Sequence, residues 1–319
     1  MATHDTVLVR HLGSGKYSDV FSVRRGSRRL AMKISYYRDG TLSDVARRAM
    51  RGDLDGAAMA RQRDAVCVAS AFSRFTASIS RTVSPHFVAV HVSRDCDGLA
   101  ERLRPVLAAR LRTLTEAQRR HNNVSFMDRF DANVTRYLLQ GQISDDVLCG
   151  VIFHIMYTLA ALQKLLPGFR HNDLSTNNVL LRYSPPPRPA VYQFESMQFA
   201  TALPVFVALS DYDFTHVPGH PTLSNERILG GKYPHMTAGY NPAYDSHLFL
   251  KSVHRCLAKR RGEHHRVPRT CRFLASLGLH AAADRLDAPV ARLVPSTLLR
   301  HPYFDSLRCA RPAVAAYRC

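Results

Sequence analysis

Residues 171–178 have the types and spacing that best fit a chemical role. They read HNDLSTNN, so that a carboxylate, Asp173, precedes a carboxamide, Asn178, by five positions. Phosphoryl transfer needs such a pair on one loop. The carboxylate can orient an attacking hydroxyl and accept its proton, and the amide oxygen can bind a magnesium ion that neutralises phosphates. The alternative is a polar loop that caps one helix and opens the next strand.

A second oxygen ligand follows a buried strand. The apolar run over residues 205–209 ends in Ser210 and continues as Asp211-Tyr212-Asp213-Phe214. An Asp at the C-terminal end of a buried strand is well placed to bind magnesium. Asp211, which comes directly after the apolar run and one small residue, is the predicted ligand. Asp213 is the alternative.

Two glycines and a lysine near the start of the chain could bind phosphates. Gly13 and Gly15 lie between apolar runs, as in a hairpin whose turn lets backbone N–H groups approach an anion closely. Lys33 interrupts the apolar run 30–34, and a lysine in a buried strand is costly unless an anion neutralises it. The alternative is a lysine that reaches solvent from an edge strand.

An acidic partner for Lys33 must be an aspartate, because no Glu precedes Glu101. Asp64 opens a pattern of apolar residues at helical spacing over residues 65–79, and we predict that it pairs with Lys33. The alternative is that Asp64 is an exposed acid of the first turn, favoured there by the helix dipole. The other candidates are Asp44, Asp53 and Asp55.

Length and composition fit a globular protein. A chain of 319 residues allows one large or two ordinary domains, and its apolar fraction is 46%. We predict no membrane span, since no stretch reaches about 20 apolar residues, and we see no secretory signal at the N-terminus. The seven cysteines are odd in number and form no C-x-x-C pair, which indicates free thiols. We therefore expect an intracellular protein, in the cytoplasm or nucleus.

The chain is strongly basic. It has 44 Lys and Arg against 25 Asp and Glu, a net charge of +19, and a pI near 10.1. Such a charge favours acidic partners, including nucleic acid, acidic peptides and anionic surfaces. The arginines are dispersed without interleaved aromatic residues, so no motif supports nucleic-acid binding. The alternative is an arginine-rich bias spread over a solvated surface.

The apolar patterns predict the elements that position these residues. Between two of the strands, residues 93–122 are predicted to form a helical insertion, and residues 216–243 are predicted to form a long functional loop. The predicted strands cover residues 7–10, 30–34, 84–91, 124–128 and 205–210, and the predicted helices cover residues 65–79, 134–140 and 145–166 and begin again at residue 244.

In this order, the motifs resemble those of eukaryotic-type protein kinases across nearly the whole chain. Within this family, the motifs are most similar to those of the divergent serine/threonine kinases of large DNA viruses. The expected location therefore includes the cytoplasm or nucleus of an infected host cell. The resemblance implies an α+β, bilobal fold, with a small β-rich N-lobe at residues 1–128 and a larger helical C-lobe at residues 129–319. The similar stretches are GSGKYSDVF, AMKI, HNDLSTNN, DYD, YDSHLFL and LLRHPYF.

The resemblance also implies cofactors and roles. ATP and Mg²⁺ would be the cofactors, and a protein hydroxyl, of Ser or Thr, would be the acceptor. Asp173 would be the catalytic base, with Asn178 and Asp211 as metal ligands. His171 and Asp245 would support the loop. The implied nucleotide contacts are Gly13, Ser14, Gly15, Lys16, Val20, Ala31, Lys33 and Met127.

Three positions depart from the kinase pattern. Asn172 replaces the arginine that pairs with a phosphorylated activation loop, so phosphorylation of that loop is a poor candidate for a switch here. Ser175 replaces a lysine that steadies the transferring phosphate, so positive charge must come from Lys33, magnesium or elsewhere. Asp213 stands where the D-F-G motif has glycine.

Two other functions share this pattern. Small-molecule kinases of the aminoglycoside or choline type also use H-x-D-x-x-x-x-N, but the LLRHPYF ending and the spacing to Asp245 favour a protein kinase. A pseudokinase, acting as a nucleotide-binding interaction module, would account for the missing Glu, Arg and loop Lys of the kinase pattern. The presence of Lys33, Asp173, Asn178 and Asp211 favours catalysis.

Overall fold

The protein divides into two compact units. The computed structural model describes residues 6–183, 189–229, 240–260, 266–279, 286, 290–309 and 317–318. Unit 1 comprises the residues up to Arg74, Val88–Arg129 and Pro221–Asn225, and unit 2 comprises Phe75–Phe87, Phe130–His220 and the residues from Glu226 onward. One division therefore falls after Arg129. The assignment of residues 1–128 and 129–319 as kinase lobes stays a prediction.

Unit 1 consists of one antiparallel sheet and the helices around it. Its elements are β1 (Thr6–Ser14), β2 (Ser18–Arg25), β3 (Arg28–Tyr36), α1 (Asp39–Met50), α2 (Leu54–Gln62), the start of α3 (Ala65–Ile79), β4 (Val90–Asp97), α4 (Leu99–Arg102), α5 (Arg104–Leu111), α6 (Glu116–Arg120), β5 (His121–Asp128) and a 3-10 turn at Pro221–Leu223. The strand order is β1-β2-β3-β5-β4. A two-residue turn containing Gly26, at φ +57°, joins β2 to β3, as antiparallel hairpins favour.

The two faces of this sheet carry different residues. Alternation along each strand sends apolar side chains to one face, where they pack with α4 and α5. That core includes Phe21, Val23, Met32, Ile34, Val124, Ala100, Leu107 and Leu111. On the opposite face Val20 lies across from Lys33, and Ala31 lies across from Met127. Four of the predicted nucleotide contacts therefore share the face that these insertion helices do not cover.

Lys33 lies on an interior strand. Its strand, β3, pairs with β2 on one side and β5 on the other, and its side chain is half-buried. The alternative of a lysine on an edge strand is therefore wrong. An amine at this depth is favoured where an anion binds beside it.

The predicted limits of the insertion are wrong at both ends. Residues 93–97 belong to β4 and residues 121–122 belong to β5, so the helices occupy only residues 99–120. The strand predicted over residues 84–91 begins only at Val90. β4 is an edge strand whose residues are mostly exposed, so its apolar pattern is weak and pairing with β5 decides its conformation.

Unit 2 combines small sheets with helices. β10 pairs with β7 and β7 with β6, while β8 pairs with β9 and β11. The elements are β6 (Ala132–Asn133), α7 (Val134–Gln140), α8 (Asp145–Leu165), β7 (Val179–Tyr183), β8 (Ala190–Phe194), β9 (Met197–Thr201), β10 (Val205–Leu209), α9 (Tyr244–Lys259), α10 (Pro268–Ser276), α11 (Pro295–Leu298), β11 (Tyr317–Arg318) and 3-10 turns at Tyr212–Phe214, Glu226–Leu229, Ala291–Leu293 and Pro302–Leu307.

The helix α8 is the core helix of unit 2. Every residue from 148 to 162 is buried, as expected for a helix that is apolar on all sides. Among the described residues, this is the one helix long and apolar enough to cross a membrane, and 83% of its apolar window is buried within the protein. Its environment is that of a helix packed inside a protein.

The structure is mixed α+β, with a β-rich N-terminal sheet and a helical C-terminal part, which is compatible with the predicted bilobal fold. The cysteines in the described part of the chain are free thiols, as predicted, and Cys319 lies outside that part. Part of the predicted long loop, residues 230–239, also lies outside it.

Candidate active site

Residues 171–178 form the last part of the connection between α8 and β7 in unit 2, and the side-chain amide of Asn178 closes this loop on Asp173. Nδ2 of Asn178 donates to the main-chain oxygen of Asp173 at 2.7 Å and to its Oδ2 at 3.0 Å. Both bonds use the nitrogen of the amide. The amide oxygen, which is the atom that a metal ion would bind, makes neither of them.

Ser210 connects this loop to Asp211. Its N–H and its hydroxyl donate to the main-chain oxygen of Asn178, at 2.9 and 3.0 Å. Its own carbonyl accepts a hydrogen bond from Nε2 of His171 at 3.0 Å. Because β10 pairs with β7, these bonds continue the ladder and bring Asn178 and Asp211 to one place. The sequence analysis gave Ser210 no role. The feature that could have indicated one is its position between the buried strand and Asp211.

Asp211 has an unusual backbone conformation. Its φ and ψ are both 68°, in the left-handed region that a non-glycine residue enters at a cost of about 1–3 kcal/mol. Residues held in this way concentrate at functional sites. Asp213 instead lies within the 3-10 turn. The conformation favours Asp211 over Asp213, and the assignment of the metal ligand stays a prediction.

Asn172, the residue that departs from the kinase arginine, has a structural function of its own. It also has a positive φ, 65°, which asparagine tolerates better than most residues. Its Nδ2 donates to the main-chain oxygen of Phe214 at 2.9 Å. The side chain therefore ties the loop to the 3-10 turn that follows Asp211.

Asp245, in the first turn of α9, holds the main chain of the loop. Its Oδ2 accepts from the N–H of His171 at 2.7 Å, and its Oδ1 accepts from the N–H of Asn172 at 2.8 Å. Burial raises the pKa of Asp245, while these amides and the nearby Arg170 act in the opposite direction. These contacts fit the supporting role expected for Asp245 and for His171.

Asp64, the predicted partner of Lys33, is completely buried, so the alternative of an exposed first-turn acid is wrong. Its Oδ1 accepts from the N–H of Val66 at 3.0 Å, which caps α3. Its Oδ2 accepts from the hydroxyl of Thr41 at 2.7 Å and from the N–H of Arg38 at 3.3 Å. These contacts define a cap that also fixes the start of α1, and the pairing with Lys33 stays a prediction.

The turn between β1 and β2 leaves space beside its glycines. The N–H of Gly15 donates to the main-chain oxygen of Ser18 at 2.7 Å, which closes the turn. A Cβ added at Gly13 would meet no atom within 4 Å. The fold therefore does not require glycine at position 13, and a glycine there keeps room for a ligand against the backbone. The neighbouring Ser14 and Lys16 are exposed.

The donor atoms of this site fit magnesium. Asp173, Asn178 and Asp211 offer oxygen atoms, the ligands that this hard cation prefers. Among the described residues, no group of three or more His, Cys, Asp and Glu side chains is arranged to hold a metal. Mg²⁺ nonetheless needs only one or two protein carboxylates, because water and phosphate complete its shell.

Two buried histidines support β10, the strand that leads to Asp211. Phe87 forms a bridge with Leu209, and Nδ1 of His86 lies 2.9 Å from the main-chain oxygen of Val207, to which it must donate. Nε2 of His86 then accepts from the hydroxyl of Tyr192 at 2.9 Å. Its ring stacks on that of His154, with centroids 4.0 Å apart. Burial of the ring favours the neutral form of His86, because a charged imidazolium would lose its hydration there.

We expect acid to destabilise the protein through these two histidines. Burial lowers the pKa of His86 from 6.5 to about 4, and burial together with His86 lowers that of His154. The unfolded chain therefore binds protons that the folded chain lacks as the pH falls below 6.5. The contribution of these two histidines to the free energy of unfolding should be constant above this pH and should decrease toward pH 4, by roughly 3 kcal/mol for His86.

Thermal unfolding measured from pH 7.5 to pH 4.5 tests this expectation. His86→Gln should flatten the pH dependence, whatever its effect on stability at pH 7.5. The matched control is His121→Gln, because His121 is half exposed and should leave the slope unchanged. An unaltered slope in His86→Gln would contradict the prediction.

Comparison with known proteins gives a partial similarity. No protein-family model matches the chain. A stretch of 111 residues is 27% identical to "Putative serine/threonine-protein kinase R400" of Acanthamoeba polyphaga mimivirus. The match covers 32% of this chain and 23% of that protein. The chain is therefore similar, over about a third of its length, to part of a viral protein that is named as a kinase.

Proposed function

We propose that this protein is an ATP-dependent protein kinase that transfers the γ-phosphoryl group of ATP to the hydroxyl of Ser or Thr in proteins. One observation carries the proposal. Hydrogen bonds through Ser210 gather Asp173, Asn178 and Asp211 in one place, while Asp245 holds the loop that carries the first two. The partial similarity to a protein named as a serine/threonine kinase supports the same class.

In the proposed reaction, each residue has a defined task. Asp173 orients the acceptor hydroxyl and takes its proton as the new P–O bond forms and the bond to the β-phosphate oxygen breaks, releasing ADP. Lys33 binds the α- and β-phosphates. Asn178 and Asp211 hold Mg²⁺, which when bound neutralises the charge of the phosphates. The rest of the effect comes from positioning and charge stabilisation.

Lys33→Met is expected to abolish phosphoryl transfer while leaving the protein folded. Methionine keeps the apolar part of the side chain but removes the charge that binds the phosphates. The measurement is transfer from radiolabelled Mg-ATP, together with nucleotide affinity and the thermal midpoint. Arg29→Met, an exposed site on the same strand, is the matched control and should behave as wild type. Undiminished transfer by folded Lys33→Met would refute the assignment.

The second candidate function is a nucleotide-binding interaction module without transfer activity. The residues of the kinase pattern that this chain lacks favour it. No acid occurs within α3, and Ser175 and Asn172 replace two basic residues of the kinase pattern. The discriminating experiment incubates radiolabelled Mg-ATP with acidic proteins, basic proteins and small alcohols, followed by phosphoamino-acid analysis. Labelled Ser or Thr supports the kinase, with acidic acceptors expected to react faster. A thermal shift with Mg-ATP but no labelled acceptor supports the module, and a labelled small alcohol supports a small-molecule kinase.

A further inference from the structure

Arg110, on the insertion helix α5, reaches the turn between β1 and β2, which lies about 90 residues earlier in the chain. Its Nη2 donates to the main-chain oxygen of Gly15, and its Nε donates to Oδ2 of Asp19 at 2.9 Å. Longer contacts, at 3.5 Å, join the guanidinium to the main-chain oxygens of Lys16 and Ser18. One side chain therefore contacts most of the turn.

Asp19 makes this contact specific. Its side chain is 1% exposed, and it also accepts hydrogen bonds from the hydroxyls of Ser14 and Tyr36. Burial alone would raise the pKa of Asp19, but the bonds from Ser14 and Tyr36 and the charge of Arg110 lower it below its ordinary value. Asp19 is therefore a buried carboxylate, and Arg110 is the cation that compensates it.

The geometry of the peptide bond determines where the amides of the turn point. A trans peptide holds each carbonyl antiparallel to the following N–H, and the peptides of this turn are trans. Because the carbonyls of Gly15 and Lys16 face Arg110, the N–H groups of Lys16 and Tyr17 point away from it. Arg110 approaches from the face of the sheet that packs with the insertion helices. The N–H groups are thus directed away from that face, and Lys33 lies on the opposite one.

We propose that Arg110 is a positioning residue for the nucleotide. By holding the carbonyls of the turn on one side, it presents the N–H groups of Lys16 and Tyr17 to the phosphates on the other. This inference rests on the proposed function, and it gives the insertion α4–α6 a task at the site. Arginine suits this task better than lysine, because the three nitrogens of its planar fork contact Asp19 and the main-chain oxygens at once, whereas lysine has a single nitrogen.

The test compares nucleotide affinities of the full-length protein. Arg110→Ala should raise the Kd for Mg-ATP about tenfold, the effect of losing one charged hydrogen-bonding group, but should change the Kd for adenosine less than twofold, since adenosine has no phosphates. The KM for ATP should rise with little change in kcat. Asp19→Asn should act in the same direction, and the double variant should be less than additive because the two residues act as a pair. Arg110→Lys should lie between wild type and Arg110→Ala.

The matched control is Arg104→Ala, because Arg104 lies on the same helix and is 63% exposed. It should bind both ligands as wild type does. Two results would overturn the inference: an unchanged Kd for Mg-ATP in Arg110→Ala, or equal loss of affinity for adenosine and Mg-ATP with a lower thermal midpoint, which would indicate a purely structural residue. Failure of the wild-type protein to bind Mg-ATP would instead remove the proposed function, and the inference with it.

Discussion

Asp173→Asn is expected to reduce phosphoryl transfer about 10³-fold while leaving the affinity for Mg-ATP nearly unchanged. The effect is the size expected when a positioned general base is lost. Asparagine has the same shape, and its amide oxygen can still accept the hydrogen bond that Asn178 donates at 3.0 Å. The loop should therefore keep its conformation. The measurement is single-turnover transfer together with the Kd for Mg-ATP.

Asp146→Asn is the control for this experiment, because Asp146 is 86% exposed on the first turn of α8. It should transfer phosphate at the wild-type rate. Wild-type transfer by folded Asp173→Asn would remove Asp173 from the reaction. Loss of Mg-ATP binding together with transfer would instead indicate that the carboxylate acts on the nucleotide or metal.

The elements that the sequence predicts correctly are those with large apolar residues at regular spacing. The helix α8 and the strand β10 belong to this group. The helices α1 and α2 were not predicted, and their buried residues explain why. α1 buries only Thr41, and α2 buries only Gly56, Ala57 and Ala60. Neither helix fully buries a large apolar side chain, and large apolar residues at helical spacing were the signal that predicted the other helices.

The candidate site also has features that the sequence alone predicts and features that depend on tertiary contacts. The spacing of Asp173 and Asn178 is local, and the sequence alone relates them. The role of Ser210 depends on the pairing of β10 with β7, and the contact of Arg110 with Asp19 joins distant parts of the chain. No local pattern encodes such contacts, because they depend on register and on which helix covers which face. Asp64 shows the same limit: its place before α3 was predicted from the sequence, but its hydrogen bonds with Thr41 and Arg38 depend on tertiary contacts.

Asp211→Asn is expected to lower phosphoryl transfer on the order of 10³-fold and to raise the Mg²⁺ concentration needed for half-maximal activity, because it removes a charged metal ligand. Asparagine is the suitable replacement, since it tolerates the left-handed backbone at this position, where φ is 68°. The matched control is Asp213→Asn, two residues away in the 3-10 turn Tyr212–Phe214. It should change both quantities less than about threefold, because the proposed metal ligand is Asp211 and not the aspartate of the turn.

This pair of variants decides between the two aspartates. The structural reason to expect Asp211 is the residue directly before it. Ser210 bonds to the main chain of Asn178 through both its N–H and its hydroxyl, so position 211 is fixed relative to Asn178, the other proposed ligand. Asp213 lies four residues beyond the register of β7 with β10, which ends at Leu209 opposite Val179. If Asp213→Asn showed the large loss and Asp211→Asn the small one, the metal would be held from the 3-10 turn. If both variants kept wild-type magnesium dependence, neither aspartate would bind the metal, and the strained backbone at Asp211 would need another explanation.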